Sequence, residues 1–252
     1  MNEKAKISGL IITYNEENNI VSLLENIDFV DEIIIVDSFS KDQTKTLAIQ
    51  NPKVVFFENV FIDFTSQRNF ALSKASNDWI LFLDGDERLT NDLKIEIVQT
   101  LAQKFTKDAY YFYRKFLFQN KLIRFSGTQT DKNFRLFKKS KCSYTAERLV
   151  HETLHVHGSI GIFQNKLLHY SYFDYGDYKT KMIKYGILKA KELHQKGKKS
   201  SVLLLVFKPL YKFLYSFLIR LGFLDGYKGL IICYLHSLSV FETYKELNKL
   251  QN

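Results

Sequence analysis

The ten residues from Trp79 to Arg88, WILFLDGDER, constrain this chain more than any other stretch. The first five, Trp79–Leu83, are apolar without alternation, which indicates a strand that is buried on both faces of a sheet covered by helices. Three carboxylates follow at once, those of Asp84, Asp86 and Glu87. Since open α/β sheets bind their ligands at the carboxyl ends of such strands, we expect a functional site here.

Two interpretations of this acidic strand end remain open. Carboxylate oxygens are ligands for Mg²⁺ and Mn²⁺, which proteins commonly share with substrate phosphates. Gly85, between the two aspartates, would allow a tight turn and the close approach of a ligand. The stretch could therefore hold a divalent metal and the diphosphate of a nucleotide. The alternative is an acidic turn that only caps a strand.

Strands and helices alternate through the first hundred residues. Each strand ends in polar or acidic residues, and the strands are predicted at Ile7–Thr13, Glu32–Val36 (before Asp37), Val54–Phe57 and Trp79–Leu83. Ser40 and Gln43 suit a capping box for the second helix, and Gln67 is predicted to open the third. The alternation predicts an α/β fold with a mostly parallel, doubly wound sheet. The chain has neither a GxGxxG nor a P-loop motif, which argues against those two kinds of nucleotide site.

The composition narrows the class of protein. A net charge of +9 over 252 residues is compatible with nucleic acid as a partner. However, the lysines are dispersed, and no recognition helix, zinc finger or RNA-binding aromatic signature is present, so we expect no nucleic-acid partner. An anionic membrane surface or an anionic acceptor explains the charge equally well. Two cysteines indicate a reducing compartment, and the polar start, Met1–Lys6, leads us to expect no signal peptide.

Four motifs occur in register in this half of the chain. They are TYNE at Thr13–Glu16, VDSFSKDQT at Val36–Thr44, QRN at Gln67–Asn69 and DGDE at Asp84–Glu87. In order and spacing the chain resembles the family 2 glycosyltransferases of the GT-A fold. The resemblance implies inverting transfer of a sugar from a nucleoside diphosphate sugar, with Mn²⁺ or Mg²⁺ as the cofactor.

The resemblance also implies a role for each matching residue. Thr13, Tyr14 and Glu16 would line the base and ribose pocket, Asp37 would hold the base or ribose, Arg68 would approach the diphosphate, Asp84 would face the ribose or sugar, and Asp86 would bind the metal. Carboxylates suit ribose hydroxyls, and an arginine suits phosphate. The alternatives are that Asp37 is only a turn residue and Arg68 a surface cation. Asp42 is taken as a first-turn helix charge.

A second motif, HETLH at His151–His155, matches the HExxH pattern of zinc proteases. Apolar and polar residues alternate around it with a period of two, which predicts a strand. In a strand, residues four apart are about 13 Å apart, whereas on a helix they are about 6 Å apart and can share a zinc ion. Gly161 also stands where the extended motif needs a third histidine. A zinc protease is therefore disfavoured.

The same segment offers a general base instead. An inverting transfer needs a carboxylate that takes the proton of the acceptor hydroxyl, and we predict Glu152 for this role. His151 is predicted to orient Glu152 or to fill the core, and Glu147 is the competing base. The VHE segment resembles that of lipopolysaccharide-core transferases, and the QxxRW motif of processive synthases is absent, which favours addition of a single sugar. We assign structural roles to the other histidines here, His155, His157 and His169.

The C-terminal region, 173–252, is predicted to be a helical appendage to a GT-A domain at 1–172. Tyr175–Lys196 reads as a basic helix, and Ser200–Phe241 is apolar and aromatic but interrupted by charges. Its longest nearly uncharged run falls short of the ~20 residues that a membrane span needs. We therefore predict binding at the interface of an anionic membrane. A helical hairpin packed on the sheet or a dimer contact is the alternative. The stretch Gly222–Gly229 also resembles lipopolysaccharide-core transferases.

Together these features predict an enzyme that adds one sugar, most simply from a UDP-sugar, to a lipopolysaccharide-core or other cell-envelope glycolipid. It would act at the cytoplasmic face of the cytoplasmic membrane. One alternative is a non-catalytic protein of the same fold that binds nucleotide sugars or serves as a membrane scaffold. A nucleotidyltransferase is a third interpretation, but such enzymes usually carry a glycine-rich basic loop, and Thr13–Asn18 has none.

Overall fold

The computed structural model describes residues 5–145, 153–172 and 174–251. These residues form two compact units, one made of 5–114, 132–145 and 153–169, the other of 115–131, 170–172 and 174–251. The strands are β1 Ile7–Thr13, β2 Glu32–Asp37, β3 Val54–Glu58, β4 Trp79–Leu83, β5 Glu87–Arg88, β6 Ala109–Phe118, β7 Lys121–Ile123, β8 Lys132–Lys138, β9 Cys142–Thr145, β10 Thr153–Val156, β11 Ile160–Ile162 and β12 Leu167–Tyr172. The α-helices are α1 Ile20–Asn26, α2 Thr44–Ala48, α3 Phe64–Lys74, α4 Asn91–Leu101, α5 Tyr175–Gln195, α6 Val202–Leu214 and α7 Gly226–Gln251.

The first unit is built on a parallel sheet in the order β3-β2-β1-β4. All five residues of β4 are buried, as a strand covered on both faces requires. The predicted bounds of β1 and β4 are confirmed, and β2 and β3 each extend one residue further than predicted. Because these strands run in parallel, the residues that end β1, β2 and β4 lie at the same edge.

Beyond β4 the sheet continues with strands of mixed direction. β8 pairs antiparallel with both β4 and β6, and β12 pairs antiparallel with β5. β11 adds a parallel pair with β6. The sheet is therefore a mixed one whose parallel half carries the strand ends of interest, and the predicted α/β fold is confirmed.

Two predicted helix starts are wrong. α2 begins at Thr44 and its N-cap, Gln43, makes no side-chain capping bond, so Ser40 and Gln43 do not form a capping box. The backbone N–H of Ser40 instead donates to Asp37, at 2.6 Å. α3 begins at Phe64, three residues before the predicted start, because the Asp63 side chain accepts a hydrogen bond from the backbone N–H of Ser66 at 2.7 Å.

The second unit is a helical assembly with a core of its own. Its buried apolar side chains come from β6, β7, α5 and α7, and are Phe116, Phe118, Ile123, Tyr178, Met182, Ile232 and Leu235. Asp225 fastens the loop after β7, since its carboxylate accepts from the backbone N–H groups of Arg124 and Phe125, both at 2.9 Å, and from the Ser126 hydroxyl at 2.8 Å. α5 confirms the basic helix predicted from Tyr175 onward.

In the described part of the chain, one helical stretch, Val202–Ile219, has the length and apolar composition that crossing a membrane requires. It consists of α6 and a following π-helical turn, Tyr215–Ile219. Only 11% of the stretch is buried within the protein.

Candidate functional site

Thr13 and Asp37 end neighbouring strands and stand opposite each other in the β1–β2 register. The Thr13 hydroxyl donates to the Asp37 carboxylate at 2.8 Å, and both residues are buried. With the Ser40 N–H as a second donor, the Asp37 carboxylate is held in one orientation at the edge of the sheet. Such a fixed acceptor suits recognition of a hydroxyl or amide on a ligand.

The loops after β1 and β2 are joined to each other by side chain to backbone hydrogen bonds. The N–H of Asn15 donates to the Ser40 hydroxyl at 2.8 Å, and the Asn15 side chain accepts from the N–H of Lys41 at 2.9 Å. Asn15 adopts a left-handed backbone conformation with φ of 55°. The neighbouring Tyr14 keeps 56% of its surface exposed, so its ring is available for a ligand beside this loop pair.

Two arginines hold Asp84 at the end of β4. Arg68 donates through Nη2 to Asp84 Oδ1 at 2.7 Å, and Arg135 binds the other carboxylate oxygen. Both guanidinium groups are almost fully buried, and that of Arg68 also lies over the ring of Phe82 at 4.5 Å. Arg68 therefore lies beneath the acidic turn as the support of Asp84, and its predicted approach to a diphosphate stays a prediction.

A second carboxylate, that of Glu87, shares Arg135. Glu87 is fully buried, and its Oε1 accepts from Arg135 at 2.7 Å and from Arg114 at 3.3 Å. Burial alone would raise the pKa of Asp84, but the charges of Arg135 and Arg68 outweigh it and hold that pKa well below its usual value. Burial likewise disfavours the charged form of Arg135, yet Asp84 and Glu87 raise its pKa. Asp84 and Arg135 are therefore both ionised at neutral pH.

Asp86 lies beside a histidine from a distant part of the chain. β12 pairs with β5 so that His169 stands opposite Glu87, and this register brings His169 Nε2 to 3.2 Å from Asp86 Oδ2. Both side chains are partly exposed, at 30% for Asp86 and 15% for His169. His169, which is assigned a structural role from the sequence, therefore lies at the acidic turn.

This pair fits a divalent metal. Carboxylate oxygen and imidazole nitrogen both suit Mn²⁺, while Mg²⁺ usually keeps several waters and shares substrate phosphates. Among the described residues, no cluster of three or more acidic, histidine or cysteine side chains could enclose a cation. Asp86 and His169 would therefore supply only part of a coordination shell, which a diphosphate and water would complete.

Glu16 packs against the backbone of the acidic turn. A Cβ on Gly85 would lie 2.6 Å from the carboxyl carbon of Glu16, so a larger residue there would have to displace the Glu16 carboxylate. Burial raises the pKa of Glu16, with a further increase from the charge of Asp86. Arg88 fixes the same turn by donating to the carbonyl oxygens of Gly85 at 2.7 Å and Asn19 at 2.8 Å.

The three residues predicted for proton transfer, Glu152, His151 and Glu147, lie outside the described residues. The described end of the HExxH segment is β10, which pairs antiparallel with β9 and sets His155 opposite Ser143. The predicted strand is confirmed for Thr153–Val156. His155 is therefore not on a helix, as a zinc-protease motif would require.

Three arginines at the site, Arg135, Arg114 and Arg88, are not predicted from the sequence. A signal for the first was present, because Arg135 interrupts an otherwise apolar strand segment, Phe134–Phe137, and a charge in a buried strand needs an opposite charge. Nothing in the local pattern identifies that opposite charge as Asp84, which lies 51 residues earlier in the chain.

The chain is similar to several known proteins. The family model described as "Glycosyl transferase family 2" matches residues 8–169. An uncharacterized glycosyltransferase of Rickettsia felis is 32% identical over 243 residues, covering 90% of this chain and 83% of the relative. The lipopolysaccharide core biosynthesis glycosyltransferase LpsC of Rhizobium meliloti is 26% identical over 258 residues, covering 96% of this chain and 94% of LpsC.

Among solved structures, the mannosyltransferase PcManGT of Pyrobaculum calidifontis aligns with a TM-score of 0.60. The alignment covers 98% of this chain and 88% of that protein, at 14% sequence identity. At this level of identity the likeness shows a shared fold.

Proposed function

The chain belongs to glycosyl transferase family 2, has the GT-A fold and is a glycosyltransferase, and on this premise we propose that it transfers one sugar, with inversion, from a nucleoside diphosphate sugar to a cell-envelope glycolipid. The observation that carries the proposal is the acidic turn after β4. Arginines hold Asp84 there, and Asp86 faces His169 at 3.2 Å, next to the ends of β1 and β2.

The donor site is assigned to the edge of the parallel strands. Thr13, Tyr14, Glu16 and Asp37 would bind the base and ribose, the exposed ring of Tyr14 by stacking and the fixed carboxylate of Asp37 by accepting hydrogen bonds. Asp84, ionised and held by Arg68, would accept from a hydroxyl of the ribose or of the sugar. UDP is our first choice of nucleotide.

Asp86 is the residue we assign to a divalent metal, Mn²⁺ or Mg²⁺, with His169 as the second side chain within reach. When bound, the cation would neutralise charge on the departing diphosphate. PcManGT, which shares the fold, was solved in complex with GDP-mannose and Mn²⁺, in keeping with this assignment. Arg68 and Arg135 would add positive potential beneath the turn.

Glu152 is assigned as the general base. It would take the proton from the acceptor hydroxyl as that oxygen forms its bond to the anomeric carbon and the bond to the diphosphate breaks. Attack from the face opposite the leaving group inverts the anomeric centre. His151 would orient Glu152, and Glu147 is the competing base.

The similarity to LpsC, which spans nearly the whole of both chains, supports our choice of acceptor class. A lipopolysaccharide-core or related envelope glycolipid is the acceptor we propose. The reaction would take place at the cytoplasmic face of the cytoplasmic membrane, with residues 173–252 as the membrane-associating region of a catalytic domain at 1–172.

Calorimetric titration with UDP, with and without Mn²⁺, tests the donor and metal assignments. We expect wild type to bind UDP far more tightly with Mn²⁺ and Asp86→Ala to lose that enhancement. Asp92→Ala removes another acid nearby in sequence, in the first turn of α4, and should behave as wild type. An Asp86→Ala protein that keeps the full enhancement by Mn²⁺ would contradict the metal assignment.

Turnover measurements test the base. With a UDP-sugar panel and lipid acceptors, we expect Glu152→Gln to lower kcat by about 10²–10⁴-fold with unchanged UDP binding. The matched variant, Glu147→Gln, should retain most activity, and the reverse order would make Glu147 the base. Tight nucleotide-sugar binding without any transfer or hydrolysis by wild type would instead favour the non-catalytic alternative.

A further inference from the structure

The outward side of α6 and its π-helical extension is apolar along its whole length. The residues concerned are each 43–76% exposed, and are Val202, Leu203, Val206, Phe207, Leu210, Tyr211, Leu214, Leu218 and Ile219. We call this set the outer face of α6. Helices of soluble proteins normally turn their apolar side to the core, and here the arrangement is reversed. A continuous exposed apolar surface of this kind marks a site of interaction.

α6 and the residues that flank it are held against α7 at three levels. The Ser200 hydroxyl donates to the Tyr244 carbonyl oxygen at 2.9 Å, and the Ser237 hydroxyl donates to that of Pro209 at 2.8 Å. Further along, Gly222 lies so close to Gly229 that a Cβ on the latter would be 2.1 Å from the Gly222 carbonyl oxygen. α6 therefore lies antiparallel along α7, which fixes the orientation of the outer face relative to α7. The outer face is about 27 Å long.

The charge of residues 173–252 indicates what kind of surface contacts the outer face of α6. Residues 173–252 contain 14 lysines and arginines and six acidic residues, and so carry +8 of the chain's net charge of +9. Lys198 and Lys199, directly before α6, and Lys208 on it are exposed. A second copy of the chain would bring an equal positive charge to the same place. An anionic lipid surface offers both opposite charge and apolar depth, and exposed Tyr211 suits its headgroup layer.

The packing partner of α6 determines its orientation. Val202–Ile219 could cross a bilayer by length and composition. However, α7 lies along α6, so the two helices would have to enter the bilayer together. A span would also carry Lys208 and Lys212, near the middle of the stretch, into hydrocarbon, where a charge is costly.

We propose that α6 lies in the plane of an anionic bilayer, with its outer face inserted among the lipids and α7 on the aqueous side. This inference rests on the proposed function for its setting, a membrane that also holds the glycolipid acceptor. Its test needs neither donor nor acceptor, so its failure and that of the proposed reaction are separate results.

Vesicle flotation with the full chain is the first test. We expect wild type to float with vesicles that contain phosphatidylglycerol and at least about tenfold less with pure phosphatidylcholine. Leu203→Glu combined with Phe207→Glu should lower flotation more than about tenfold. The matched control, Ile62→Glu with Phe105→Glu, alters equally exposed apolar residues of the first unit (78% and 83% exposed) and should float as wild type.

Lys198→Glu with Lys199→Glu provides a second variant that leaves the apolar face unchanged. It should weaken flotation with phosphatidylglycerol and leave the phosphatidylcholine result unaltered. The proposal is overturned if wild type floats with neither vesicle, if all variants float equally, or if wild type instead forms a dimer that the outer-face variant abolishes.

Insertion depth distinguishes the in-plane from the spanning orientation. Single Leu203→Trp, Leu210→Trp and Leu218→Trp variants would be quenched by lipids brominated at different acyl positions, with buried Trp79 as a constant background. We expect the same shallow quenching at all three sites. Quenching that passes through the bilayer centre at Leu210 and is weak at both ends would establish a span and overturn the proposal.

Discussion

Arg135 bridges two carboxylates, because its Nη2 binds both Asp84 and Glu87. Glu87 is fully buried and Arg135 is 4% exposed, so neither group has water as a substitute partner. Arg114 completes the balance at Glu87. At the scale of single residues, the acidic turn is therefore a fixed arrangement of charges that exists before any ligand binds, and preorganisation of this kind favours binding.

Removing Arg135, the cation that Asp84 and Glu87 share, should destabilise the folded protein. We expect Arg135→Met, which keeps the side-chain bulk, to lower the free energy of unfolding by about 3–5 kcal/mol, because it leaves buried carboxylates without their partner. Urea denaturation followed by circular dichroism measures the change. Arg124→Met, at an exposed arginine, should stay within about 0.5 kcal/mol of wild type. A variant at position 135 as stable as wild type would show that Arg68 and Arg114 suffice.

His236 predicts a pH dependence within the second unit. Its Nε2 lies 2.9 Å from the Tyr178 hydroxyl, and burial, with a smaller contribution from the charge of Lys212, lowers its pKa to about 4. The unfolded chain, with a histidine pKa near ~6.5, binds the proton first as pH falls. Stability from this group is therefore present above about pH 6.5 and is lost toward pH 4, by about 3 kcal/mol in all.

The variant His236→Gln separates this loss from general acid denaturation. Glutamine retains a partner for the Tyr178 hydroxyl but does not titrate. We expect urea unfolding of wild type to weaken more steeply between pH 7 and pH 5 than that of the variant. Parallel pH profiles for the two proteins would mean that His236 is protonated in the folded state as easily as in the unfolded chain.

Some residues of the site can be predicted from the sequence and others cannot. Asp84 and Asp86 are recognisable because a buried strand ends directly before them. Arg135 and His169 reach the same turn through antiparallel pairing of β8 and β12, and no local pattern encodes that pairing. Arginines that are distant in the sequence, Arg135 and Arg114, balance the negative charge of Asp84 and Glu87.

Among the elements, strands were predicted more accurately than helix starts. The bounds of β1 and β4 follow from apolar runs that end abruptly, and the structure confirms them. The capping box failed because Asp37 captures the N–H of Ser40. The start of α3 was missed although Asp63 precedes Ser66 by three residues, a spacing typical of an N-cap.

The contact between α7 and the Gly222 turn gives a prediction for this element. A Cβ at position 229 would be 2.1 Å from the Gly222 carbonyl oxygen and 2.7 Å from the Asp225 Cβ. We therefore expect Gly229→Ala to lower the free energy of unfolding by about 3 kcal/mol or more, since the backbone itself must move. Thermal unfolding of the purified variant measures this loss.

Gly226→Ala is the control for that substitution. A Cβ at this position meets nothing within 4 Å, but the backbone has a φ of +67°. With a ψ of −147°, which few residues other than glycine adopt, its expected loss of about 1–3 kcal/mol reflects backbone strain alone. If Gly229→Ala were no worse than Gly226→Ala, the close approach between the turn and α7 would not matter for stability.

At the scale of the whole chain, the second unit is assembled from separate stretches of sequence. The hairpin of β6 and β7 supplies Phe116, Phe118 and Ile123 to a core whose other members come from α5 and α7. The predicted boundary after residue 172 follows the change in composition. Local composition cannot show that residues 115–131 pack with the helices, because the hairpin and the helices are distant in the sequence and meet only in the folded chain.

Truncation after residue 172 should therefore expose an apolar surface rather than release a clean domain. The fragment would keep the hairpin and lose Tyr178, Met182, Ile232 and Leu235, which cover it. We expect the fragment to aggregate on size-exclusion chromatography and to bind the dye ANS strongly, unlike the full chain. A monomeric fragment with weak ANS binding would show that the first domain is independent of the helices.

Because these stretches are far apart in the sequence, the core of the second unit cannot form until late in translation. The β6–β7 hairpin leaves the ribosome long before Leu235, the last member of its core, has been translated. At a translation rate of about 5–20 residues per second, the apolar side of the hairpin stays exposed for roughly 6–22 s before α7 has been synthesised as far as Leu235. During that interval it is open to neighbouring nascent chains, so soluble yield should depend on chaperones that bind apolar segments.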